Sequence, residues 1–391
     1  MDISIYFEPI DKDIFIDPTT FRPRKLGDII HTYTKDSIFP ILENMDIAII
    51  GIKEERRAYN NPGCSLSANY VRKHLYKLYQ GNYNSKIVDL GNIKSGHSIE
   101  DTYFAVSSAI SELIQCNILP IIIGGSQDLT YPNYLAYENL GQIINIVSVD
   151  SHFDIGNADE DFNSRSYLSK IIVHQPNFLF NFTNIGYQTY FVDQNAIDLM
   201  SKMYFDTYRL GVVRANMEEV EPMVRNADLL SFDISSIRQS DAPGNINATP
   251  NGFYGEEACQ IVRYAGLSDK LTSIGFYESN PAYDREEQTS HLLAQMIWYF
   301  IEGFYNRKKD FPLKANGDYL KYRVNIQNHN QEIVFYKSKK SDRWWMEVPC
   351  IGTLNIRYER HHLITCSYSD YQSACKNEIP DRWWQMYKKL I

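Results

Sequence analysis

Six cysteines in 391 residues, none paired as C-x-x-C, offer no disulfide framework. Cys64, Cys116, Cys259, Cys350, Cys366 and Cys375 are scattered, with Cys116 and Cys259 in helix-like segments. The set reads as reduced, buried thiols of a cytoplasmic protein. Long apolar runs are absent as well: the strongest, 118–123 and 143–149, are far too short to cross a bilayer. The first ten residues alternate like a strand, carry early acids and have no apolar signal core, so no secretory leader is expected. Basic excess is missing too, since 39 Lys and Arg against 48 Asp and Glu leave a net charge of −9. That balance opposes a general nucleic-acid binder, which carries a basic face. G-x-x-x-x-G-K-[ST], G-x-G-x-x-G and G-x-S-x-G do not occur, so phosphate-cradle, dinucleotide and nucleophile-elbow sites find no support. Hydrophobic residues, in contrast, make up 44% of the chain, and 29 Tyr lift the aromatics to 14%. A chain of that composition can bury a substantial core and is globular.

From residue 46 to 305, short apolar runs alternate with amphipathic stretches, which predicts an α/β fold with a mostly parallel sheet covered on both faces. Strands are expected at 47–52, 85–90, 119–123, 143–149, 180–185, 227–232 and 271–275. Helices are expected at 67–79, 98–115, 131–137, 194–203, 255–266 and 287–305. The last opens on acids and carries Leu292, Leu293, Met296, Ile297 and Phe300 as an apolar stripe at helical spacing.

The chemistry-bearing segments fall at the ends of these strands. Gly124-Gly125-Ser126-Gln127-Asp128 follows one, and Asp150-Ser151-His152-Phe153-Asp154 follows another. Ser231-Phe232-Asp233-Ile234-Ser235 ends a third and runs on to Ala242-Pro243-Gly244. Glu278-Ser279-Asn280-Pro281 closes a fourth. Open parallel sheets bind their ligands at these carboxyl ends. Taken alone, each segment is weak evidence; their common order is not.

Together the segments resemble the ureohydrolase family (arginase, agmatinase, formimidoylglutamase), whose site reads G-G-x-H, D-x-H-x-D and S-x-D-x-D…A-P-G. The formimidoylglutamase branch is nearest. Segment 63–75 resembles the family's Gly-rich entry to its first helix, and Val88-Asp89-Leu90-Gly91 its D-L-G strand. The resemblance implies an arginase-like three-layer α/β/α fold with a mostly parallel eight-stranded sheet. It also implies two Mn²⁺ ions, bridged by Asp150 and Asp233. Asp154 with Gln127 completes one ion, and His152 with Ser235 the other. At two of these positions the family ligand is changed: its His is Gln127 and its last Asp is Ser235. Each change weakens a Mn²⁺ site, and the oxygen-rich remainder suits a single hard cation or none. Arg238, or another nearby base, is a candidate for the missing positive charge, against a plain solvent-facing role.

On the substrate side, the resemblance gives Glu278 to an amidine or guanidinium group, which a carboxylate holds through paired hydrogen bonds. Asp154 is its catalytic companion. Ser164, Ser166 and Asn280 are candidate substrate contacts, while Arg165 and Tyr167 depart from the family's loop. His174 reads as structural.

Three parts of the chain are expected: an N-terminal extension at 1–45, the ureohydrolase-like domain at 46–305 and an aromatic-rich extension at 306–391. In the last, Asp342-Arg343-Trp344-Trp345 recurs as Asp381-Arg382-Trp383-Trp384. Each Trp pair either packs a strand or helix onto the core or forms an interface. Two functions stay open. In the first, the dimanganese site is degenerate and the protein binds a ligand or serves as a scaffold. In the alternative, it is an active metal-dependent hydrolase of a C–N bond in a substrate such as formimidoyl-glutamate. A small amidine or guanidine compound, a second copy or a protein at the Trp-rich segment are the partners expected; nucleic acid and membrane are not.

Overall fold

In a computed structural model the chain is described at residues 2–11, 24–156, 161–312, 318–327, 331–349 and 361–390. The strands are β1 Phe7–Glu8, β2 His31–Thr32, β3 Ile47–Ile52, β4 Ile87–Ile93, β5 Leu119–Ile123, β6 Ile144–Val149, β7 Leu179–Tyr187, β8 Asp206–Arg209, β9 Leu229–Asp233 and β10 Ser273–Tyr277. They form one sheet in the order β1-β4-β3-β5-β10-β9-β6-β7-β8, with β2 also on β4. All pairings among β3 to β10 are parallel, and β1 alone runs antiparallel at the edge. The eight-stranded parallel sheet is therefore present, with two short additions.

Period two explains why its strands are apolar throughout. Ile47 and Ile49 point into one cluster and Ala48, Ile50 and Ile52 into the other. Ile121 and Ile123 likewise oppose Ile122, and Val147 and Val149 oppose Ile146. One cluster is closed by helices Ser67–Leu75, Gly255–Gly266 and Gln288–Tyr305, the other by Ile99–Gln115, Thr130–Asn139 and Tyr167–Val173. These are the two outer layers. Ser98 starts helix Ile99–Gln115 through a capping box with Asp101. Between the first outer layer and the sheet, Arg72 is fully buried and held by both oxygens of Asp89 at 2.8 and 2.9 Å.

A second sheet follows: β11 Tyr319–Ile326, β12 Gln331–Ser338, β13 Trp344–Glu347 and β14 Leu363–Cys366, antiparallel in that order. Helices Tyr368–Cys375 and Asp381–Leu390 cover it. Trp344, Phe335, Trp383 and Met386 share its cluster, against which Phe180 of β7 packs. Each Trp pair thus packs its element: Trp345 and Trp383 are 1% exposed, whereas Trp384 is 43% exposed.

Several expectations need correction. The N-terminal ten residues are not one strand, because a 3-10 turn at Ile3–Tyr6, capped by the Asp2 side chain, precedes β1. Helix Ser67–Leu75 stops four residues early. β8 and helices Tyr167–Val173, Leu210–Ala215 and Val220–Arg225 were not foreseen. Among the described cysteines all are free, but Cys116 and Cys375 are exposed rather than buried. Cys350 lies outside the described residues. No helix among the described residues is long and apolar enough to cross a membrane.

Candidate functional site

Topology assembles the site. β5, β10, β9 and β6 are neighbours in the sheet, and adjacent strands lie about 4.8 Å apart. The segments that leave their carboxyl ends therefore meet: Gly124–Asp128 from β5, Glu278 from β10, Asp233 from β9 and Asp150 from β6. The glycine pair after β5 is a matter of space. A Cβ on Gly125 would come 1.8 Å from the Glu54 carbonyl oxygen. Asp154 and Glu278 both hold left-handed backbone, with φ of 52° and 68°. Such conformations cost energy in non-glycine residues and cluster at functional sites.

The carboxylates converge in a nearly dry setting. Asp150, Asp154, Asp233 and Glu278 are 1%, 6%, 7% and 4% exposed. Burial, then the neighbouring charge of Asp150, pushes Asp154 and Asp233 well above the usual carboxylate range. Burial also raises Glu278, opposed by hydrogen bonds from Asn61, the Gln127 backbone and Ser164. The Gln127 N–H donates to Glu278 Oε1 at 2.9 Å, and Asn61 Nδ2 to Oε2 at 2.8 Å. Oδ2 of Asp150 and Oδ2 of Asp154 are buried without a hydrogen-bond partner.

The changed positions are tied into this network. Ser235 donates twice to Asp233, from its N–H to Oδ1 and from its hydroxyl to Oδ2, each at 2.7 Å. Gln127 turns its amide Nε2 toward the Ser148 and Ser231 hydroxyls, at 3.4 and 3.3 Å. His152 stacks on Phe191 with ring centroids 5.0 Å apart, and Ser151 Oγ meets its Nδ1 at 2.9 Å. Burial lowers its pKa, so it is held neutral. Among the described residues, no group of three or more His, Cys, Asp or Glu is arranged to hold a metal ion.

Not every candidate is available to a ligand. Ser164 is 3% exposed, and its hydroxyl accepts the Tyr59 N–H at 3.0 Å and supports Glu278. Ser166 is engaged with Asn163 in a local turn. Asn280 is fully buried, donating to Asn61 Oδ1 and the Pro62 carbonyl and accepting from the Ala282 N–H, so it fixes the loop. The A-P-G tail has a similar task, because the Gly244 carbonyl accepts the Asn280 N–H at 2.7 Å. His174 bridges Glu138 and Tyr131, a structural role.

Arg238 is not the cation of the cluster. It pairs with Asp241 at 2.8 Å and lies 3.9 Å over the Tyr254 ring. Arg165 instead offsets the charge of Asp154 and Glu278, while its guanidinium rests 4.6 Å over Tyr59. Motif reading undervalued Arg165 because a loop arginine carries no local signal. Asn61 was missed for the same reason, although its N-N-P-G setting announced a tight turn. Asp128 adjoins Gln127 in the first motif; it accepts from Ser126 and Tyr103 while burial pushes it up to about 7.

Acidic side chains gathered at the carboxyl edge put the molecule among the open-sheet α/β proteins that carry their ligand site there. A model of the arginase family matches residues 45–302, and the chain belongs to that family. Formimidoylglutamase of Staphylococcus haemolyticus (strain JCSC1435) is 24% identical over 281 residues, covering 67% of this chain and 90% of that protein. The formimidoylglutamase of Streptococcus gordonii is 24% identical over 287 residues, covering 67% and 85%. Among solved structures, Trypanosoma cruzi formiminoglutamase with Mn²⁺ aligns at a TM-score of 0.63 and 21% identity, over 68% of this chain and 96% of that one. Bacillus subtilis formimidoylglutamase aligns at 0.66 and 19%, over 76% and 98%. The family match ends at residue 302, before β11.

Proposed function

We propose that this protein is an arginase-family member with a degenerate dimanganese site and weak or no metal-dependent hydrolysis, retained to bind a ligand or to act as a scaffold. The bond from Ser235 to Asp233 carries the reading. At the position where the family pattern has a carboxylate, a neutral hydroxyl donates a hydrogen bond to the would-be bridging ligand. One negative charge is gone, and Asp233 has both oxygens occupied. Gln127 adds a neutral amide whose nitrogen faces serine hydroxyls. The residues at the six positions (Asp150, His152, Asp154, Asp233, Gln127 and Ser235) do not fit a pair of Mn²⁺ ions.

The unpartnered oxygens of Asp150 and Asp154 support a smaller capacity: one hard cation, or a proton shared between them. Manganese stays the metal of choice by family. A cationic amidine or guanidine compound is the ligand whose charge the cluster suits, with Glu278 and Ser164 as its contacts. We further propose the division into 1–45, 46–305 and 306–391, and a cytoplasmic location.

The same unpartnered oxygens also support the second reading, an active hydrolase of formimidoyl-glutamate or a similar substrate, in which they await metal. One experiment separates the two. Mn²⁺ binding and hydrolysis of formimidoyl-glutamate are measured for the wild type and for Gln127→His with Ser235→Asp. The account expects activity in the double variant at least about a hundredfold above wild type. Mn²⁺-dependent turnover by the wild type that is well above background and at least equal to that of the double variant would favour the hydrolase instead.

A further inference from the structure

We infer that the cleft between the C-terminal sheet and the parallel-sheet core binds a small aromatic carboxylate. The cleft has a volume of about 810 Å³ and is lined by Arg225, Tyr264, Lys308, Arg343, Trp344 and Tyr368, among others. Ligand pockets of that size favour boundaries between structural layers. Arg225 ends helix Val220–Arg225 ahead of β9, and Tyr264 belongs to the helix ahead of β10. The cleft therefore lies at the amino-terminal end of the sheet, opposite Asp150, Asp233 and Glu278. The inference is independent of how that acidic site is read.

The inner wall has a donor without an acceptor. Arg225 is 4% exposed, and its guanidinium lies 4.4 Å over the Trp345 ring. Its Nε pairs with Glu221 at 2.8 Å, and Nη2 donates to the carbonyls of Trp344 and Cys366. Its Nη1 is buried without a partner. An unmade bond at a buried donor costs about 1–3 kcal/mol, so the free Nη1 of Arg225 calls for an acceptor.

Charge selects the kind of acceptor. Glu221 Oε1 accepts from Arg225 and, at 3.0 Å, from Arg343, whose Nη1 also lies 3.9 Å from the buried Asp310 Oδ1, so the two guanidiniums face two carboxylates. The other acids are occupied or solvated. Glu219 pairs with Arg382 and Asp342 with Lys337, while Glu218 is exposed. Lys308, exposed at the mouth, is the positive charge that these pairs leave over. A monoanion balances this wall; a dianion or a cation does not. A carboxylate also matches the planar fork of an arginine. Above it, Trp344 and Tyr368 have ring centroids 5.6 Å apart, and Tyr368 is 55% exposed. A flat ring attached to the carboxylate would cover that surface.

Isothermal titration of the full chain with phenylacetate, with inorganic phosphate and benzylamine as controls, tests the inference. Saturable one-site binding is expected for phenylacetate alone. Tyr368→Ala and Lys308→Ala, both at exposed positions that leave folding intact, should each weaken it, the former by about tenfold. No saturable heat at about 10 mM phenylacetate would mean that water fills the wall, and would overturn the inference. Binding that neither variant weakens, or that benzylamine or phosphate equals, would overturn it as well.

Discussion

At the scale of single residues, the fate of a motif position depends on what its side chain touches. Asn280 belongs to a segment that resembles a substrate-binding motif, yet its amide closes the loop around Asn61 and Pro62. Asn280→Ala should lower stability by about 1–3 kcal/mol through the unpaired groups left behind, read by urea unfolding. The two tryptophans at 383 and 384 make a sharper contrast. Trp383→Ala removes a buried indole that donates to the Glu347 carbonyl at 2.9 Å and should cost about 3–5 kcal/mol. Trp384→Ala, at a half-exposed site, should fall within about 0.5 kcal/mol of wild type. Equal effects would refute the packing described for this helix. The motif segments were legible as neighbours, because all of them leave the carboxyl ends of adjacent parallel strands. What could not be read from them was orientation: that Ser235 turns back on Asp233, and that Arg165 rather than Arg238 faces the acids.

At the scale of elements, strands were more legible than helices. β3 and β5 match their expected bounds because each is a short apolar run buried on both faces. β8, Asp206–Arg209, was missed because polar side chains dominate an edge strand with partial burial. The helix Asp381–Leu390 docks by polar contacts as well as apolar ones. Arg382 pairs with Glu219 and Asp370, each at 2.9 Å, and Lys389 donates to Asn181. Burial lowers Lys389 to about 8, partly opposed by Asp206. An unfolded lysine titrates near about 10.4, so below the folded value the native state carries the whole cost of burying the charge. As pH rises from about 8 toward about 10.4, the folded lysine is neutral while the unfolded one is still charged, and stability rises. Lys389→Met should therefore melt higher than wild type near pH 7, with the gap narrowing by about pH 10. A gap that does not change with pH would remove this explanation.

At the scale of the whole molecule, the arginase-type sheet and the C-terminal sheet are joined through buried groups. Thr365 donates to the Pro222 carbonyl at 2.5 Å, and Arg225 reaches the carbonyls of Trp344 and Cys366. Short apolar runs set between amphipathic stretches made the parallel sheet legible. The second sheet was not, because β11 is exposed or half-buried along most of its length and carries no clean alternation. Only its tryptophans hinted at packing. The central claim is that a family fold persists around a site that no longer holds two metal ions. Elemental mass spectrometry on protein purified without chelator and dialysed against Mn²⁺ tests it most directly. The account predicts at most about one ion per chain. About two per chain would show that Gln127 and Ser235 serve as ligands and would contradict it.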